Sequence, residues 1–122
     1  MVTKKMYFMD CHLAGKMYHE ADEVWDLLKV GTELSLERDL ENRYDPDAVA
    51  VVYYDRDSCQ QNSPRYVVGY IPRDENTDLA HFLEMGWGEI FECRINRIIQ
   101  DAHPEHQVHL TIKIKRNPNA GN

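Results

Sequence analysis

Apolar residues fall along this chain in short blocks, each closed by a glycine, a proline or a polar cluster. The first block, KMYFMDCHLA at residues 5–14, is β-prone and stops at Gly15. Val24, Leu27 and Leu28 then recur on one face of a helix predicted over residues 21–28. Asp22 and Glu23 stand in its first turn, where the helix dipole favours acids, and Asp26 follows them. After Gly31, residues 32–38 alternate, with Leu34 and Leu36 opposite Glu33, Ser35 and Glu37, as a half-buried strand does. Residues 48–54 are continuously apolar, the pattern of a strand covered on both faces.

The polar stretch DRDSCQQNSPR at residues 55–65 reads as a hairpin loop, and residues 66–71 return as a strand that ends at Pro72. A second helix is predicted over residues 77–85, with Leu79, Phe82 and Leu83 inward and Gly86 as its stop. Two more alternating strands, at 89–98 and 108–115, are joined by QDAHPEHQ. The predicted order is β-α-β-β-β-α-β-β. Short strands joined by short turns point to a mainly β (α+β) fold, a small antiparallel barrel of five to six strands with two short helices.

Composition narrows the class. A chain of 122 residues, 43% apolar and 29% charged, is expected to form one domain over residues 1–116, with NPNAGN at 117–122 as a flexible tail. No apolar run approaches a membrane span, and MVTKKMYFMD lacks the apolar core of a signal peptide. Cys11, Cys59 and Cys93 are odd in number and far apart, which fits free thiols and a cytoplasmic protein.

The net charge of −7 argues against nonspecific coating of nucleic acid. The charge is also uneven: residues 1–92 carry nine Lys/Arg against nineteen Asp/Glu, and residues 93–122 carry five against two. The basic C-terminal strand pair reads either as a local anion site or as a lysine-protected sheet edge.

Candidate chemistry is sparse. No glycine-rich phosphate loop is present, and Ser35, Ser58 and Ser63 have no nucleophile-elbow context. Cys11 adjoins His12, but neighbours on a strand face opposite ways. His103, His106 and His109 are spaced H-x-x-H-x-x-H, yet Pro104 implies a turn, so no metal site and no cofactor is expected. Asp39, Glu41, Asp45 and Asp47 could in principle gather Mg²⁺ or Ca²⁺ for a nuclease-like reaction, and Arg38 and Arg43 between them are expected to pair with some of these acids. Trp25 and Trp87 are expected in core or hinge packing. One of Tyr53 and Tyr54 is expected in the core.

Three pieces taken together carry a resemblance. They are G-x-x-Y at residues 15–18, GTELSLERDLENRYDPDAVAV at residues 31–51, and VGYIPR at residues 68–73. With the LAHFL helix that follows, they resemble the HIRAN domain family over about residues 8–114, as a stand-alone bacterial-type member. The resemblance implies an OB-like β-barrel with helices at its side, no catalysis, and binding of single-stranded DNA at its free 3′ end, in DNA repair or replication-fork processing. Asn42, Tyr44 and Asp45 match the family's N-x-Y-D stretch, where the tyrosine stacks on the terminal base and the aspartate accepts from the 3′-hydroxyl.

By the same resemblance Tyr18 is a second stacking group, Tyr70 stands where DNA-binding members have a histidine, and Arg73 lies near a phosphate-contacting lysine. Arg38 and Lys16 complete the expected phosphate contacts, although Met17 stands where those members place a basic residue. Asp47 stands where the family often has Asn, and the late wedging aromatic has no match in QDAHPEHQ. The residues themselves leave a second reading of Tyr44 and Asp45 open, an Asx-type turn that starts the buried strand. Two other functions also stay open: an adaptor whose acidic surface recruits a protein such as a helicase or nuclease, and a metal-dependent nuclease. No membrane partner is expected.

Overall fold

The computed structural model describes residues 4–15, 20–56 and 63–120. Six strands, β1 (Lys5–His12), β2 (Glu33–Arg38), β3 (Val49–Tyr54), β4 (Arg65–Tyr70), β5 (Phe91–Ile98) and β6 (Val108–Lys115), form one antiparallel sheet in the order β1-β6-β5-β2-β3-β4. Two helices, α1 (Ala21–Val24) and α2 (Thr77–Glu84), complete the element order expected from the pattern. Helix α1 is shorter than expected. It tightens into a 3₁₀ turn at Trp25–Leu27, and Leu28 is extended, with its amide held on the Trp25 carbonyl at 3.2 Å and its side chain buried.

Strand β3 is central to the packing. Val49, Val51 and Val52 are fully buried, and Val49 and Val51 belong to one core cluster with Leu13, Val68, Ile71 and Leu79 that continues through Ile95, Leu110 and Ile112. Tyr53 packs on this core, while the Tyr54 hydroxyl reaches Glu37 on the other side. Trp25 also packs against the core, but Trp87 stands out in solvent, contrary to the expectation of a buried indole. Cys11 and Cys93 are buried free thiols. Burial, helped by the carboxylates of Glu75 and Asp10, pushes the Cys11 thiol up to about 12, and burial raises Cys93 as well. No helix among the described residues is long and apolar enough to cross a membrane.

The expected barrel is corrected: the sheet is not closed. Its outer strands β1 and β4 share no ladder; the chain beyond β1 meets β4 in an isolated bridge, Ala14 with Tyr70, each amide donating to the other's carbonyl at 2.8 Å, and again where the Glu20 amide donates to the Val67 carbonyl at 2.9 Å. Gly69 permits the approach at Ala14. A Cβ there would lie 2.6 Å from the Ala14 carbonyl oxygen and 2.7 Å from Leu13 Cδ1, closer than real Cβ atoms come. The sheet therefore stays open, with the segment after β1 lying against β4, and Ala14 and Tyr70 both line the cleft described next.

Candidate functional site

Residues 39–48 link β2 to β3 and are held by their own side chains. The Asn42 Oδ1 accepts from the amides of Tyr44 (2.9 Å) and Asp45 (3.0 Å), and Asp45 Oδ1 accepts from the Asp47 amide at 2.9 Å. These are the Asx turns that the polar stretch suggested. Pro46 has no amide proton to satisfy, and its carbonyl receives Arg38 Nη2 at 2.9 Å. The loop is thus fixed before β3 begins, and it leaves the Tyr44 ring 85% exposed.

Beside this loop lies a hollow of about 210 Å³. Asn42, Tyr44 and Asp45 contribute from the loop; Ala14 and Gly15 contribute from the chain after β1, and Tyr70 and Arg73 from the end of β4 and the turn beyond it. The Tyr70 hydroxyl donates to Asp39 Oδ2. Burial, with that carboxylate beside it, pushes the Tyr70 hydroxyl up to about 12, so it remains a proton donor at neutral pH and its ring is pinned.

Asp45 is the chemical centre of the hollow. Its Oδ2 accepts from Asn76 Nδ2 at 2.7 Å, and Asn76 is only 1% exposed. Among the described residues each carboxylate oxygen has one protein donor, an arrangement that suits an incoming hydroxyl and repels a phosphate. Arg73 and Arg43 are exposed and make no hydrogen bond or ion pair with another described residue, so both charges are available to an anion.

The structure brings together Tyr44, Asp45, Tyr70 and Arg73. It does not bring Arg38, whose guanidinium donates to the carbonyls of Ala80 (3.1 Å) and Pro46, with Glu84 at 3.7 Å. Arg38 latches the loop to α2, and neither it nor Arg43 pairs with the acids at 39–47. Lys16 and Tyr18 lie outside the described residues. Gly15 marks where that segment begins, its amide held by Glu105 Oε1 at 2.8 Å and its φ at +68°.

Sequence reasoning missed Asn76, and it expected Arg43 to pair with the loop acids where the structure leaves it exposed. Asn76 closes the YIPRDEN segment just ahead of α2, and its burial is visible only in the fold. Arg43 sits within the N-x-Y-D stretch itself. The carboxylates at 39–47 are dispersed among turns and partners, and no cluster of three or more His, Cys, Asp or Glu suited to a metal occurs among the described residues. The histidine run forms a 3₁₀ turn at Pro104–His106, with the His106 ring centred 5.4 Å from that of His12 and tilted to it by 54°.

The antiparallel sheet, with a polar loop beside a pinned tyrosine of its edge strand, defines a small β domain with an open, aromatic-edged cleft. The chain belongs to the HIRAN domain family, which matches residues 6–116. It is 32% identical over 108 residues to a Fanconi-associated nuclease 1 homolog from rice (Oryza sativa subsp. japonica), covering 88% of this chain and 10% of that protein. The chain thus spans about a tenth of that relative's length. The fold resembles the crystal structure of a Lactobacillus plantarum protein, at a TM-score of 0.69 and 19% identity, over 95% of this chain and all of the other.

Proposed function

We propose that this domain is a non-catalytic module that binds single-stranded DNA and holds its 3′ end in the cleft at Asp45. One observation carries the reading: an aromatic ring left almost wholly in solvent on a loop fixed by three side-chain caps, beside the Asp45 carboxylate. An exposed face of this kind stacks on any base, at about 1–3 kcal/mol each. The neighbouring carboxylate accepts a terminal hydroxyl and disfavours a chain that continues into a phosphate. Arg73 and Arg43 supply charge for the penultimate phosphates. Family membership and the kinship with a nuclease homolog named for a DNA-repair pathway support a DNA-related role.

The test is fluorescence anisotropy at low salt with paired oligonucleotides ending in a 3′-hydroxyl or a 3′-phosphate. Tighter binding to the hydroxyl end is expected, with Tyr44→Ala weakening binding about tenfold while the circular dichroism spectrum is retained. Equal affinity for both ends, or no loss in Tyr44→Ala, removes the proposed site.

A further inference from the structure

A second surface lies at the C-terminal end of α2, and it shares no residue with the cleft. Gly86, at φ +86°, reverses the chain after the helix. Its amide reaches the Leu83 carbonyl and the Trp87 amide reaches the Phe82 carbonyl, both at 3.0 Å. That turn folds Trp87 back beside the helix. Phe82, Met85 and Trp87 there line a groove of about 250 Å³ with Asp78 and His81. The groove is rigid behind, because Phe82 meets Phe91 edge-on at 5.6 Å and Phe8 at 6.3 Å. It is apolar in front, with Trp87 57% and Met85 75% exposed. Tryptophan in a preformed pocket is a common binding anchor, and methionine adapts to irregular apolar partners.

Charge decides the occupant. Asp78 lines the groove, Glu84 extends from the same helix with its side chain 65% exposed, and Asp47 stands 3.9 Å from His81. Arg38 reaches Glu84 only at 3.7 Å and is otherwise mostly covered and turned onto two backbone carbonyls, so Asp78 and the exposed end of Glu84 still face the groove's partner. A nucleic-acid strand would be repelled here, and so would a second copy of a chain carrying −7. The geometry points to a docking site for a basic amphipathic segment of a partner protein, with one apolar side chain seated against Trp87 and flanking Lys or Arg facing Asp78 and Glu84.

The probe is a fluorescein-labelled 14-residue amphipathic Leu/Lys peptide, titrated against the full chain. Controls are a scrambled peptide of the same composition and a Leu/Glu counterpart. Saturable binding is expected for the amphipathic basic peptide alone, weakened at least tenfold by Trp87→Ala and again by Asp78→Lys with Glu84→Lys. Oligonucleotide binding at the cleft should be unchanged in Trp87→Ala, which separates failure of this surface from failure of the DNA reading. Absence of binding, equal binding of the scrambled peptide, or full affinity in Trp87→Ala overturns the proposal. So does a Trp87-dependent dimer in sedimentation, which would make the occupant a second copy.

Discussion

Asp45 and Asn76 face each other at 2.7 Å, and the Asn76 Oδ1 is buried without a hydrogen-bond partner. That spare acceptor makes Asp45→Asn an informative variant. Asn76 can turn its amide and offer Oδ1 to the new side-chain amide, so the fold should survive with a small loss of stability. The charge is gone, however, and with it the repulsion of phosphate. Discrimination between 3′-hydroxyl and 3′-phosphate ends should collapse in paired titrations, while overall affinity for DNA holds or rises. Asn76→Ala acts differently: it strips a donor from a half-buried carboxylate and should cost roughly 1–3 kcal/mol in urea unfolding. The buried thiols give another check at this scale. With pKa values raised by burial, Cys11 and Cys93 have little thiolate at neutral pH and should react with a disulfide reagent only after denaturation.

Among the elements, the join between the end of β1 and β4 matters most. Gly69→Ala would push a methyl into the Ala14 carbonyl and the Leu13 side chain. Overpacking of this kind costs about 1–3 kcal/mol, so the melting temperature should fall by several degrees and DNA affinity with it. A variant as stable as the parent would mean that this contact need not be close. Most elements were legible beforehand: the continuous apolar run at 48–54 and the alternation at 32–38 became β3 and β2. Two features were not. The shortening of α1 follows from Leu28, which must leave helical geometry to reach the core. Trp87 was expected in core or hinge packing because it follows a helix with an apolar face, but after the Gly86 turn it is 57% exposed.

At the scale of the molecule, acid stability should depend on one buried carboxylate. Glu92 on β5 accepts from Lys5 Nζ at 2.7 Å and lies 3.3 Å from Arg94 Nε. The Lys5 hydrogen bond first, and Arg94 after it, hold its pKa below the ordinary carboxylate value against the opposing effect of burial. A carboxylate lowered in the folded state stabilises above its unfolded pKa of 4.5, and that contribution fades as pH falls through the lower folded value. Glu92→Gln should therefore reduce stability at pH 7 and flatten the loss of stability below about pH 4.5 in thermal melts. Salt response is the second molecular property. With Arg73 lining the cleft and Arg43 on the adjoining loop, the slope of log K against log salt should be about −0.7 to −1.4, shallow for a DNA binder. A much steeper slope would place further phosphate contacts on this acidic body.

Sequence by itself determined the element order, the buried character of β3, and the family, because hydrophobic period and turn residues are local and the N-x-Y-D and YIPR pieces are specific together. It also pointed to Tyr44, Asp45, Tyr70 and Arg73, which the fold gathers in one hollow. Tertiary structure alone decided that the sheet stays open, that Arg38 is a latch rather than a free cation, and that Asn76 supports Asp45. Each of these depends on which distant backbones approach one another, and here that was settled by the contact at Gly69 and by the seating of α2 against the loop. A one-dimensional pattern records what each residue prefers, whereas the partner that satisfies it is chosen only when distant segments of the chain meet.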